Sequence, residues 1–216
     1  MYIPQAFNPK DPAALDRLAA YNAFGTLVSQ LGGTSFASHL PVLYRRAGEQ
    51  VTLTGHWARA NPQWQEIEGQ RVLFILHGPH AYISPRWYVE PEKNVPTWNY
   101  AVAHVYGRLR VIQEVDELER IVTALAEQYE AGTQEPWRFE DTGSAGRTRL
   151  KAIVGFELTA DQVEVKFKLG QNHVEGNVRG AVAGLRGVGS AESREVADWM
   201  ERAFEQRSGG TGGQSR

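Results

Sequence analysis

Cysteine is absent from all 216 residues, which excludes disulfides, thiol catalysis and cysteine-based zinc sites and permits a reducing compartment. No stretch approaches the roughly eighteen consecutive apolar residues that a membrane-spanning helix needs. Excess positive charge is missing as well: the net charge is −2 and the pI near 6.3, so any DNA contact has to come from a local basic patch. No serine stands in a Gly-x-Ser-x-Gly elbow, which leaves hydrolase chemistry without a visible nucleophile. The glycine-rich run from Gly180 to Gly189 follows no strand and matches neither a dinucleotide fingerprint nor a P-loop; it reads as small-residue packing and a helix stop. His77, His80 and His104 have no carboxylate or cysteine close in sequence to complete a shell, so no metal site is expected. The opening Met1-Tyr2-Ile3-Pro4 lacks a basic region followed by an apolar run, and the expectation is a soluble cytoplasmic protein with no membrane partner.

What is present is an ordinary globular composition, 42% hydrophobic and 22% charged, with enough apolar material for one main core. Asp11-Pro12 caps a short helix ending near Asn22. Strands are expected over Phe24–Gln30 and Thr34–Tyr44, joined by a hairpin turn at Leu31-Gly-Gly33, with Pro41 marking an edge or a bulge. Val51–His56 is a third strand, Asn61-Pro62 opens a short helix ended by Gly69, and Arg71–His77 is a buried strand. Asp116 and Glu119 have capping-box spacing ahead of the clearest helix. Ile153–Leu158 and Val163–Phe167 read as two strands separated by a polar turn, and a last helix begins near Ser190. Six or seven strands with a few helices point to a small antiparallel barrel, mainly β within an α+β class, carrying peripheral helices and a C-terminal helical segment. Residues 1–207 make one domain in this reading, and the glycine-rich 208–216 a disordered tail.

One stretch stands out. Leu76 to Tyr106 holds three of the six histidines, two of the six tryptophans and four of the eight tyrosines. Its first part, from His77 to Tyr88, reads as a polar loop, and Thr97–Ile112 as a two-faced strand. Ala101, Ala103, Val105, Leu109 and Val111 point one way; Trp98, Tyr100, His104, Tyr106, Arg108 and Arg110 point the other. The second face suits a flat ligand or a partner subunit. Upstream, His56, Arg59 and Asn61 sit at a strand-to-helix junction where backbone donors and a guanidinium fork match an anion. A phosphate there, with a planar ring toward Trp98 and Asn99, describes a flavin mononucleotide; a surface Arg59 and a core Trp98 fit the same residues equally well.

The ordered motifs Met1-Tyr2-Ile3-Pro4, Ala37-Ser38-His39-Leu40-Pro41, Gly55-His56, Ala60-Asn61-Pro62-Gln63-Trp64, Gly78-Pro79-His80-Ala81-Tyr82-Ile83-Ser84-Pro85, Val95-Pro96-Thr97-Trp98-Asn99-Tyr100 and Ala152-Ile153-Val154-Gly155 resemble the PaiB-type FMN-binding transcriptional regulators, over nearly the whole chain. The resemblance implies an FMN-binding split β-barrel related to the pyridoxamine phosphate oxidases, a homodimer with FMN bound non-covalently near the subunit interface, and negative regulation of transcription, with DNA as a partner by resemblance alone. The alternative is a small FMN-dependent oxidoreductase, with His80, Tyr82, Trp98 and His104 holding a substrate against the ring. The cofactor-binding candidates are Ser38, His39, His56, Arg59, Asn61, His80, Tyr82, Trp98, Asn99, Lys168 and Gln171. One departure is Gly170, where the family pattern Lys-x-Lys-Leu-Ser-Gln-Asn has serine; the lost hydroxyl would have bonded a ligand or capped the next helix. Arg147, Arg149, Lys151, Lys166 and Lys168 read as a solvated face or as DNA contacts, and no helix-turn-helix signature is apparent.

Overall fold

The structure, a computed structural model, describes residues 1–209. β1 (Phe24–Leu31) and β2 (Thr34–Ala47) form the hairpin that the glycine pair predicts: Leu31 pairs with Thr34, and Gly32 and Gly33 take φ of 56° and 76°, left-handed values that cost glycine nothing. β2 runs through Pro41 as one strand. Pro41 is the last residue registered against β1, opposite Phe24, and Val42 the first registered against β3 (Gln50–Ala58), opposite Gly55. The residue that cannot donate to a ladder thus stands where the strand changes partner.

β4 (Arg71–Ile83), β5 (Thr97–Ile112) and β6 (Ile153–Lys168) complete six strands, closed into a barrel in the order β1-β2-β3-β6-β5-β4. Two expectations are corrected here. The segment from His77 to Ile83 is not a loop but the second half of β4. The buried–exposed alternation slips at Gly78-Pro79, both buried, and then resumes with His80 and Tyr82 exposed. Gly78 fits because a Cβ there would lie 2.7 Å from Leu18 and 2.8 Å from Ala101. Likewise β6 is one strand rather than two, its polar Thr159–Gln162 stretch lying on exposed or half-exposed strand positions. β5 has the expected bounds, but its alternation shifts at the end, so that Ile112 rather than Val111 is buried.

The chain divides into two compact units. The barrel unit, Ala19–Leu76 with His104–Glu164, buries Leu27, Val42, Leu53, Trp57, Phe74, Val105, Phe156 and Leu158, with Trp57 and Phe156 ring centroids 4.7 Å apart. Its largest helix, α2 (Val115–Glu130), follows α1 (Ala14–Tyr21) and lays Leu118, Ile121 and Leu125 on a cluster with Ile112, Phe139 and Leu150. Each such leucine or isoleucine contributes about 1.5–3 kcal/mol by burial. Gly155 admits this approach, since a Cβ there would lie 2.9 Å from Ile121 and 3.0 Å from Leu118. The expected capping box is absent: the N-cap is Glu114 with no side-chain cap bond, and Asp116 and Glu119 both pair with Arg147 instead. Arg147 lies on the single turn α3 (Gly146–Arg149).

The other unit comprises Met1–Leu18, His77–Ala103 and the chain from Val165 on. It contains α4 (Glu175–Val188) and α5 (Ala191–Gly209), packed through Ala181, Val182, Leu185, Val196, Ala197 and Met200. The glycine run belongs to α4. A Cβ on Gly184 would lie 2.2 Å from the Trp87 ring and one on Gly180 1.9 Å from the Trp87 carbonyl oxygen, while Gly189 ends the helix at φ 76°. Small-residue packing and a helix stop are therefore what the run provides. Of the tail expected over 208–216, Ser208 and Gly209 close α5, and the remainder lies outside the described residues.

Candidate functional site

In the barrel unit, a short polar chain fixes the turn after β3. Asn61 accepts from Gln63 N–H at 3.0 Å through Oδ1 and donates from Nδ2 to Ser38 Oγ at 2.8 Å. The segment it caps is a 3₁₀ turn of four residues, Pro62–Gln65, in place of an α-helix, so its dipole is that of a single turn. The Arg59 guanidinium donates to Lys151 O at 2.7 Å, Ile153 O at 3.0 Å and Gln113 Oε1 at 3.0 Å, and its carbonyl oxygen accepts from Trp64 Nε1 at 2.8 Å. His39 Nδ1 lies 3.1 Å from Thr26 Oγ1 on the exposed side of β2. His56 differs from all of these: its Nδ1 is buried without a hydrogen-bond partner among the described residues, and burial holds its pKa below the ordinary histidine value.

In the second unit, the slip in β4 presents His80 and Tyr82 outward, and the start of β5 presents Trp98. Both His80 and Tyr82 lie 6.2 Å from Trp98, ring centroid to ring centroid, the first tilted at 32° and the second edge-on at 75°. Trp98 is 53% exposed and Tyr82 45%. Asn99 does not join them. Successive strand residues face opposite sides, and Asn99 is 2% exposed, its Nδ2 donating to Met200 Sδ at 3.2 Å. Lys168 Nζ donates to Thr97 Oγ1. Gln171 is tied to its own turn, Nε2 donating to Phe167 O at 2.6 Å and Oε1 accepting from Leu169 N–H at 2.8 Å. Gly170 has φ 83°, a value that strains any residue with a side chain. The next helix, α4, takes Val174 as its N-cap, so no cap is lost through the missing serine.

Gln63, to which sequence reasoning gave no role, and Lys166, read there only as part of a basic face, are both buried. Gln63 is fully buried; its Nε2 reaches Ser29 Oγ at 3.0 Å, Leu27 O at 3.2 Å and Phe36 O at 3.3 Å, and its Oε1 accepts from Trp57 Nε1 at 3.1 Å. Nothing local signals this, because the partners lie on three different strands. Lys166 is 8% exposed, with Nζ 5.7 Å from the Tyr2 ring, 5.2 Å from the Tyr100 ring and donating to Tyr2 O at 3.1 Å. Its period-two relation to Lys168 was the available signal. The basic residues considered for DNA therefore do not form one open set: Arg147 is ion-paired, Lys166 buried and Lys168 bonded to Thr97, while Arg149 and Lys151 remain exposed. His104 lies in the barrel unit, its Nδ1 3.3 Å from Tyr106 Oη. Among the described residues no group of three or more His, Asp or Glu side chains is placed to hold a metal ion, and no helix is long and apolar enough to cross a membrane.

The chemistry of these groups fits FMN: an exposed indole face with a phenol and an imidazole at its edge suits a flat polar ring system, and a buried, neutral imidazole nitrogen without a partner is a ready hydrogen-bonding atom. Comparison with known proteins agrees. A family described as "Putative FMN-binding domain" matches residues 1–162. The chain is 34% identical, over 93% of its length and 97% of the relative's, to the protease synthase and sporulation protein PAI 2 of Bacillus subtilis. Among solved structures, the flavocytochrome Anf3 of Azotobacter vinelandii is similar at a TM-score of 0.57 and 13% identity, covering 77% of this chain and 72% of that one. The FAD and heme binding protein of Mycobacterium smegmatis is similar at 0.57 and 17%, covering 80% and 78%. At such identities these two establish the shared split-barrel fold. By the match of three quarters of its length and the near full-length likeness to the B. subtilis protein, the chain belongs to the PaiB-type FMN-binding family, whose cofactor is FMN.

Proposed function

We propose that the protein holds FMN non-covalently with the isoalloxazine ring against the Trp98 face, that it does so as a homodimer, and that it acts as a cytoplasmic regulator of transcription. The observation that carries the flavin part is the exposure of Trp98 at 53% with His80 and Tyr82 at its side, since three rings together make a patch broad enough for a flat ligand, unlike a singly exposed aromatic. Trp98 supplies stacking area, and Tyr82 and His80 supply a hydroxyl and ring nitrogens for the flavin's polar edge. Lys168 and Gln171 order the strand end and turn of the same unit, and Asn99 anchors β5 against Met200. In the barrel unit, Ser38, His39, Arg59 and Asn61 are candidates that already hold protein partners, and His56 offers the one buried atom without one among the described residues. Bound FMN supplies reversible one- and two-electron chemistry.

The absorption spectrum of freshly purified protein, followed by titration with FMN, tests the cofactor site. The expected result is a flavin band, or uptake of added FMN, that Trp98→Ala abolishes. A variant that takes up FMN like the wild type while the dimer falls apart would assign Trp98 to the subunit interface alone. Regulation is tested by retention of genomic DNA fragments on the FMN-loaded protein, and failure to retain any fragment above a mixed-sequence control removes the DNA part. A second reading, a small FMN-dependent oxidoreductase, is favoured by the openness of the same face, which leaves a substrate access to a bound ring. Turnover of the bound flavin in a screen of reductants and acceptors is the result it requires.

A further inference from the structure

The outer flank of the barrel unit carries a pocket of about 240 Å³ that none of the flavin candidates lines. Two cross-strand rows make its floor. Leu43, Thr54 and Glu157 are registered side by side on β2, β3 and β6, and Arg45 is registered against Thr52. These positions alternate with Val42, Leu53, Phe156 and Leu158, which fill the barrel, so the row faces outward. Arg110 of β5 and Glu117 and Arg120 of α2 close the sides.

The three arginines are not equivalent. Arg110 Nη2 donates to Glu117 Oε2 at 3.2 Å and lies 3.8 Å from Glu157 Oε1. Burial alone would lower its pKa, but the Glu117 hydrogen bond and the charges of Glu117, Glu157 and Glu114 outweigh burial and hold it above the ordinary arginine value. Arg110 is thereby a balanced strut that also occupies the two carboxylates of the pocket. Arg45 and Arg120 are exposed, and neither forms an ion pair among the described residues; Arg120 Nε donates only to the Asp116 carbonyl oxygen at 3.3 Å. Two guanidiniums without ion pairs among the described residues, of which Arg120 shares a longer-range attraction with Asp116, over a concave floor bearing threonine hydroxyls form a donor set suited to a tetrahedral anion.

We propose that this flank binds a phosphate group, gripped by Arg45 and Arg120 with Thr52 and Thr54 donating from the floor. The phosphate belongs either to a small phosphorylated ligand or to a nucleic-acid backbone, which present the same oxygens. The site is independent of the flavin face and does not rest on it.

The test titrates inorganic phosphate into the full-length protein at matched chloride ionic strength and follows Tm, beside a fluorescence anisotropy titration of a short mixed-sequence DNA duplex. The doubly substituted variant, Arg45→Gln with Arg120→Gln, is measured in parallel. Both side chains are exposed, so an unchanged circular dichroism spectrum and Tm without ligand are expected. Each charge-assisted contact is worth about tenfold or more in affinity, so the variant should bind at least ~100-fold more weakly. Loss in the phosphate arm assigns a small phosphorylated ligand, and loss confined to the duplex arm assigns a nucleic-acid backbone. Absence of binding in both arms, or equal binding by wild type and variant, overturns the site. The visible flavin band is read on the same samples after addition of FMN. If the variant fails to take up FMN, the arginines belong to the cofactor and a separate site is overturned.

Discussion

The surroundings of Gln63 and of Trp98 are both crowded with aromatic and polar side chains, yet they are opposites in what their atoms lack. Gln63 is fully buried and its amide is shared among Trp57, Leu27, Ser29 and Phe36. Trp98, with Tyr82 and His80 beside it, leaves half its surface to solvent. A satisfied amide inside a barrel stitches strands together, because the alternative is unpaired polar atoms at about 1–3 kcal/mol each. An exposed aromatic face answers no such internal demand. Residue type alone does not separate the two; partners do.

The largest effect expected from breaking this contrast is at Gln63. Gln63→Leu keeps the volume roughly but strands the Trp57 indole N–H and removes the donor shared by Leu27 O, Phe36 O and Ser29 Oγ, and the penalties combine to about 3 kcal/mol. Urea denaturation should show the midpoint falling with the slope unchanged. A loss within about 0.5 kcal/mol would remove Gln63 as the strand-linking residue.

Packing gives the next effect, and it comes with a control of opposite sign. Gly184→Ala places a methyl 2.2 Å from the Trp87 ring, and the overpacking, typically about 1–3 kcal/mol, should exceed the gain in helix propensity of about 1 kcal/mol. Gly187 lies in the same helix, where an added methyl would meet nothing within 4 Å, so Gly187→Ala should stabilise by up to about 1 kcal/mol. Thermal unfolding of the two variants side by side checks both signs, and equal destabilisation by both would show that the loss at Gly184 does not come from Trp87.

Much of this is legible in the chain. The hairpin glycines, the Asn61 cap, the bounds of β5 and the bland nature of the Gly180–Gly189 run all follow from local rules about φ, capping and periodicity. What is not legible depends on neighbours distant in sequence. Gly78-Pro79 has the composition of a loop, yet it is strand, and the close approach of Leu18 and Ala101 is what requires glycine there. Asp116 and Glu119 have capping-box spacing, and Arg147, 31 and 28 residues away, draws both off. The candidate site behaves the same way. Trp98 and Asn99 are adjacent in sequence and share one motif, whereas strand geometry sends one to solvent and the other to Met200. Arg59 has the fork of a phosphate ligand, and three protein acceptors already meet it.

A smaller, pH-dependent effect distinguishes the histidines. Burial lowers the pKa of His56, and burial followed by the Lys168 charge lowers that of His173, both from 6.5. In the window between each lowered value and 6.5 the unfolded chain binds more protons than the folded one, so stability falls as pH drops below about 6.5 and is insensitive to these groups above it. His56→Phe and His173→Phe should each flatten part of that acid limb in denaturation measured from neutral pH downward. An unchanged limb in the double variant would assign the acid sensitivity to other groups.

The smallest stability change should come from Trp98→Ala, and there the contrast with Gln63 becomes sharpest. A ring that is 53% exposed and holds only edge and tilted contacts at 6.2 Å contributes little to the folded monomer, so the change should stay within about 0.5 kcal/mol. FMN uptake should nevertheless disappear. Running the denaturation at two protein concentrations separates the ways this can fail. A loss that grows on dilution places Trp98 in the subunit contact, because dimer stability depends on concentration and monomer stability does not. A concentration-independent loss above about 1 kcal/mol would put Trp98 in the same structural class as Gln63 and remove the argument that its exposure is there for a ligand.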